Sequence, residues 1–328
     1  MPEAMELIGV VPAPDWGAWE PLALGLLTAG AAALCLAGIL SVCGRGGRTV
    51  RPLALAALAA GLCGQAALFV SLEQPLRAYE FFLHPSFTSW TAAGAYIVPV
   101  FLLCAALAVF ASRGARPLAR PLAALASAAG LAVFVYATNE IMACVGRELW
   151  TGPLVPLLFV VAGLAGGLGL AACFAAGARA AGSPDAAPRV LAGSAALAVA
   201  GCTVLAVILP ASAGFAAVVS PWWHAPDALC LLAACIALAG WRGGGRGAYV
   251  AGIAGLAGGF SLFWKLVQLG QAFPRSAATV ADRAAFFDLA SGPSLLAIAG
   301  TAGLLLALCL LLPMVAPERP SHAPQGVR

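Results

Sequence analysis

Glu73, Arg77, Glu80 and His84 follow one another at intervals of four, three and four residues within residues 71–90, SLEQPLRAYEFFLHPSFTSW. Two carboxylates, a guanidinium and an imidazole on one helical face can exchange protons with a bound group and hold charge beside it. The segment lies between two long apolar runs of a chain in which only 9% of residues are charged, so these charges stand at the edge of a membrane. An ionisable side chain deep in a span costs roughly 2.5–3.5 kcal/mol on insertion scales, and less near an interface. A cluster of them is therefore a candidate site. Pro75 removes an N–H and disfavours helix at the residue before it. The preceding span should stop near Gln74, and a short interfacial helix should begin at Pro75.

The elements that must hold this segment follow from composition. A chain of 328 residues that is 62% hydrophobic, with mean hydropathy +0.97, cannot bury its apolar surface in one soluble core. Nine apolar runs, at 19–43, 52–74, 88–112, 121–144, 151–178, 190–211, 226–241, 248–271 and 291–314, predict an all-α integral membrane fold of about nine helices. Most exceed the roughly 20 residues that cross about 30 Å of hydrocarbon. The seventh is short and could borrow from residues 218–223. One polytopic domain covers 1–328: an outer segment 1–18, a helical bundle 19–314 and a cytoplasmic tail 315–328.

Charge orients the bundle. Twelve of the seventeen basic residues, Arg45, Arg48, Arg51, Arg113, Arg116, Arg120, Arg179, Arg189, Arg242, Arg246, Arg319 and Arg328, fall on one side, opposite eleven of the thirteen acids. The positive-inside rule then places the N-terminus outside and the C-terminus in the cytoplasm. The net charge of +4 belongs to lipid headgroups and topology, with no sign of nucleic-acid binding. The first span follows three acids and no base, so it is expected to be retained and not cleaved as a signal peptide.

Further polar residues converge on the acidic end of the spans: Trp19 and Glu20 in the first, Tyr136, Asn139 and Glu140 in the fourth, Lys265, Gln268 and Gln271 in the eighth. The ten cysteines are spread over eight spans without a CxxC pair, which gives no support to an iron–sulfur or zinc site. His84, His224 and His322 lie in loops or the tail, where they cannot serve as axial ligands of a membrane haem. Any redox group would be dissociable. Gly-rich stretches such as AGLAGGLGL lie inside spans, where small residues permit close helix packing.

The run from Ser71 resembles the signature of the NrfD, DmsC and polysulfide reductase family of membrane subunits. Leu72, Pro75, Arg77, His84, Pro85, Thr88 and Ser89 fit it. Tyr136 with Arg147, Trp150, Pro153 and PLLFVVAGLAGGLGL resembles the family's fourth and fifth spans, GGFSLFWKLVQLGQ its late GGFLLR…GQ span, and the Trp19-led run its first. Ser71 stands where the family has an acid or histidine, Glu73 where it has glycine, and Lys265 near its late arginine. The ninth span exceeds the usual eight.

The resemblance implies a core of two packed four-helix bundles in the cell inner membrane. It implies a quinone-reactive anchor, oxidising menaquinol or ubiquinol and exchanging electrons with a ferredoxin-like iron–sulfur subunit on the outer face, itself joined to a molybdopterin subunit. No haem or cluster is expected in this chain. Glu73, Glu140 and His84 would handle protons, while Tyr136, Asn139, Arg77, Lys265, Trp19 and Glu20 would line the quinone site. Structural readings stay open: belt aromatics for Trp19 and Tyr136, a solvated helix end or loop for Glu140, an exposed loop histidine for His84, an ion pair for Glu73 and Arg77, snorkelling for Lys265, a cross-helix bond for Asn139. A polytopic transporter or a purely structural anchor is the rival function.

Overall fold

Each long apolar run forms a helix within a few residues of its expected limits. The computed structural model describes residues 16–45, 47–86, 88–114, 117–181, 187–212, 221–240, 245–272 and 291–318. Most of the outer connections at 214–225 and 272–290, together with Phe87, Arg116, Asp185, Arg242, Arg275, Arg283, Arg319, His322 and Arg328, lie outside the described residues. The order is α1 (Trp19–Val42), α2 (Val50–Ser71), the single turn α3 (Glu80–Leu83), α4 (Trp90–Ala111), α5 (Arg120–Met142), α6 (Val155–Ala180), α7 (Pro188–Ser212), α8 (Ala225–Ala239), α9 (Arg246–Ala272) and α10 (Gly292–Val315). Among the described residues, nine helices are long and apolar enough to cross a membrane, the pattern of a multi-pass membrane protein.

Length and termination follow local chemistry. The 22 residues of α2 extend about 33 Å at 1.5 Å per residue, enough for the hydrocarbon layer. With 15 residues, α8 falls short by itself, and the 3-10 turn Pro221–His224 before it supplies about 8 Å more. Helix starts carry the expected devices. The Ser89 hydroxyl accepts the Ala92 N–H at α4, Ser291 does the same for Ser294 at α10, and proline occupies the first turn of α5, α6, α8 and α10.

Small residues hold the helices together. A methyl at Gly30 of α1 would sit 2.9 Å from the Ala57 carbonyl of α2, and one at Gly130 of α5 would sit 2.6 Å from the Ala31 carbonyl of α1. Gly163 of α6 approaches Thr28 of α1 as closely, and Gly259 of α9 approaches Ala162 of α6. Lipid tails are as apolar as the helices, so close contact and dispersion, not exclusion of water, drive this association. The first helix is the hub, touching α2, α5, α6, α9 and α10. In its most apolar stretch 83% of residues are buried inside the protein, against 11% for α10, which lies at the periphery against α2.

Two arginines fasten that outer helix. Arg51, buried in the first turn of α2, pairs with Glu318 at 3.2 Å and donates to the Ala316 carbonyl just past α10. Arg113 donates to the Val315 carbonyl at 3.3 Å. Both satisfy acceptors at the negative end of the helix dipole.

Replacing Gly130 with leucine should cost roughly 1–3 kcal/mol of stability, because the backbone of α1 cannot yield. The same change at Gly193, which faces open space, should be near neutral. Thermal unfolding of the two variants in one detergent compares them directly.

Candidate functional site

The expected break at Pro75 re-routes the chain over one end of the bundle. Helix α2 stops at Ser71 and Leu72 turns extended, at φ −65° and ψ 135°. Pro75–Arg77 then forms a 3-10 turn, α3 follows, and the chain re-enters the bundle at Trp90. Arg77 makes a two-pronged bond to Glu80, Nε to Oε1 at 2.8 Å and Nη2 to Oε2 at 3.0 Å, and Nη1 donates to Gln74 at 2.9 Å. Its partner is thus Glu80 and not Glu73. The hydrogen bonds that Arg77 donates to Glu80, and then the Glu80 charge, hold the guanidinium above its already high range. The Tyr96 hydroxyl of α4 donates toward the Phe82 carbonyl at 3.3 Å, and its ring meets Phe82 edge-on at 5.4 Å. These contacts pin residues 75–83 as a roof.

Beneath the roof lies a cavity of about 350 Å³. Trp16, Glu20 and Leu24 form one wall, and Tyr136 and Glu140 of α5 another. Thr91, Gly94, Ala95 and Pro99 of α4 line it, with Gln65, Phe69 and Glu73 at the end of α2 and Ala78, Phe81 and Phe82 of the roof. Four sequence-predicted site residues thus meet here: Glu20, Glu73, Tyr136 and Glu140.

Tyr136 can stand where it does because α4 presents a glycine to it. A methyl at Gly94 would come within 2.4 Å of the Tyr136 ring and 2.7 Å of its hydroxyl oxygen. That hydroxyl is the hydrogen-bond partner of Glu140, one turn further along α5, and Thr91 donates to Glu140 Oε1 at 3.3 Å. Glu20 lies in the first turn of α1, where the helix dipole favours an anion. One of its carboxylate oxygens is enclosed without a hydrogen-bond partner among the described residues. A buried acceptor of this kind is costly unless something donates to it.

The Trp16 wall is tied to the far side of the bundle. Its N–H donates to Gln271 Oε1 at 2.7 Å, its carbonyl accepts from Gln271 Nε2 at 3.0 Å, and its ring stacks on Trp150 at 4.7 Å. Trp150 donates to the Leu266 carbonyl at 2.8 Å. Arg147 lies over the Trp150 ring and donates to the Gly270 carbonyl at 2.9 Å. Arg147, Trp150 and Gln271 thus form one knot behind the cavity.

The remaining predicted residues lie elsewhere. His84 is exposed at the end of α3, Asn139 donates to the Val135 carbonyl of its own helix at 2.7 Å, and Trp19 packs beside Trp264 and Ala18. Lys265 does not snorkel to the surface. It is buried in an ion pair with Asp227 of α8, whose second oxygen accepts from Ser261 at 2.8 Å. Asp227 escaped notice in the sequence, although Lys265 is the only lysine of the chain and needed a counter-charge. Gly94, Thr91 and Gln65 were equally unmarked, being ordinary residues of apolar runs, and Trp16 stood in the outer segment before the first run.

No family model matches the chain, and no curated protein is detectably similar to it in sequence.

Removing one member of the buried pair should be far worse than removing both. Asp227→Ala is expected to destabilise by about 3–5 kcal/mol, leaving Lys265 uncompensated, whereas Asp227→Leu with Lys265→Met should recover most of the loss. Equal unfolding temperatures for Asp227→Ala and the parent would contradict the pairing.

Proposed function

We propose that this chain is the quinol-oxidising membrane anchor of a respiratory molybdopterin and iron–sulfur oxidoreductase. The observation that carries this reading is the cavity itself. A phenol and two enclosed carboxyl groups face a mostly apolar chamber that Gln65, Thr91 and Glu73 also line, under the roof that bears the Pro-x-Arg string. A pocket that is mostly apolar with a few convergent polar groups suits a flat lipophilic ring with polar oxygens.

A hydroquinone bound there supplies two electrons and two protons. Tyr136 and Glu140 are placed to hold one ring oxygen, and Glu140 to take its proton. Glu20, with an oxygen awaiting a donor, serves the opposite side and takes the second. Glu73 lines the cavity and is also exposed, so it offers both carboxyls a way to water. The electrons leave to a ferredoxin-like iron–sulfur protein docked over the roof and pass to a molybdopterin subunit. Arg77 and Glu80 neutralise each other on that outer surface and serve the roof's shape rather than the proton.

The same reading sets the chain in the cell inner membrane with its acidic end outward. Arg45, Arg48, Arg51, Arg113, Arg120, Arg179, Arg189 and Arg246 gather at or near the opposite helix ends, as the positive-inside rule requires of a cytoplasmic face. Helices α1, α2, α4 and α5 form one four-helix group around the quinol site, and α6 to α9 form the second, with α10 appended.

Binding of a fluorescent quinol-site inhibitor to the purified full chain tests the assignment. Tyr136→Phe should weaken binding about threefold to tenfold, the worth of one hydrogen bond of roughly 0.5–1.5 kcal/mol. In the assembled complex Glu140→Gln should cut quinol-dependent electron delivery at least tenfold. Saturable binding unchanged by Tyr136→Phe, together with electron delivery unchanged by Glu140→Gln, would place the site elsewhere.

A further inference from the structure

The cavity is closed on some sides and opens on two, past exposed Glu73 beside the roof and between α2 and α4. Ala23, Leu24, Gly94 and Tyr136 seal it toward the interior, each of them buried. Between α2 and α4 the lining is different: Phe69 is 40% exposed and Pro99 is exposed as well. This gap has a floor and a ceiling. Below it, Phe101 of α4 is fully buried and seated against Gly30 and Gly61, where an added methyl at Gly61 would meet its ring at 2.6 Å. Above it, the Tyr96 and Phe82 contact ties the roof to α4.

Depth identifies what the gap faces. Pro99 lies nine residues into α4, about 14 Å along the helix from its start. Phe69 lies two residues, about 3 Å, from the end of α2. The opening therefore descends from the headgroup level well into the hydrocarbon layer, and its rim of Phe69, Ala95 and Pro99 is apolar. Outside it, Val100 and Leu103 of α4 continue the surface, 52% and 60% exposed. Pro99 lacks an N–H, so the Ala95 carbonyl loses its usual helical donor and α4 lacks a rung at the window's edge.

We propose that the ligand of this cavity enters sideways from the bilayer through the window between α2 and α4, and that its hydrocarbon chain lies in that window while the ring is bound. The inference rests on the quinol reading and narrows it. The occupant is a quinol bearing an isoprenoid tail, because a polar, water-borne ligand gains nothing from an opening at hydrocarbon depth. The site then distinguishes its ligands by the tail as well as the ring, with Phe69 and Ala95 as the residues that set this specificity.

The test compares two probes on the purified full chain in detergent, a naphthoquinone with a four-isoprene tail and its tail-less 2-methyl counterpart. Quenching of tryptophan fluorescence reports binding, since Trp16 lines the cavity. The wild-type chain should bind the tailed probe more tightly. Ala95→Phe, which narrows the window, should weaken the tailed probe at least tenfold more than the tail-less one. Phe69→Ala, which widens it, should speed dissociation of the tailed probe at least threefold and change the other less, and it carries the test should Ala95→Phe fail to fold. Equal effects on both probes would overturn the window while leaving the quinol site intact. Failure of the wild-type chain to bind either probe would overturn both.

Discussion

The backbone of α1 lies so close to α2, α5 and α6 that single methyl groups would collide at Gly30, Gly130 and Gly163. The rest of the architecture depends on this constraint. In lipid no hydrophobic driving force favours one apolar helix neighbour over another, so close approach and dispersion select the partners. Where α1 begins, the neighbouring side chains are larger and the packing opens. Glu20 and Trp16 occupy that end, and the Tyr136 ring stands against α4, admitted by Gly94. The cavity is the space left when a tight seam meets bulky aromatics.

A hollow of this kind needs rigid walls to have chemical use. The Trp16 wall is fixed through Gln271, Trp150 and Arg147 to the end of α9, and the roof is fixed through Tyr96 to α4. Arg77, Gln74 and Glu80 give the roof an internal frame that does not draw on the cavity's own carboxyls. Glu20 and Glu140 thus remain available to a ligand, on separate helices. The buried Asp227 and Lys265 pair, by contrast, is satisfied internally and belongs to the contact between α8 and α9.

Position along each helix was legible in the sequence, and direction around it was not. Run length located every span, and Pro75 located the turn after α2, because both are one-dimensional signals. Helices that are apolar on all sides carry no stripe to say which face turns inward. Asn139 and Glu140 are adjacent and equally polar, yet one bonds to its own backbone while the other enters the cavity. Lys265 was set at the right level with the wrong neighbours, since its partner Asp227 sits 38 positions away in a different span. Gly94 and Thr91 gave no sign, being small residues among many. The spacing of Glu73, Arg77, Glu80 and His84 suggested one face, and the break at Pro75 divided it: Glu73 lines the cavity, Arg77 and Glu80 frame the roof, and His84 faces out.

Photo-affinity labelling with an azido-naphthoquinone in native membranes, followed by peptide mapping, tests the central claim most directly. Label displaced by excess quinol should map to three places: residues 16–24, residues 91–99 and residues 136–140. Displaceable label confined to the start of α8 and the last two turns of α9, around Asp227 and Lys265, or the absence of any displaceable label, would contradict the account.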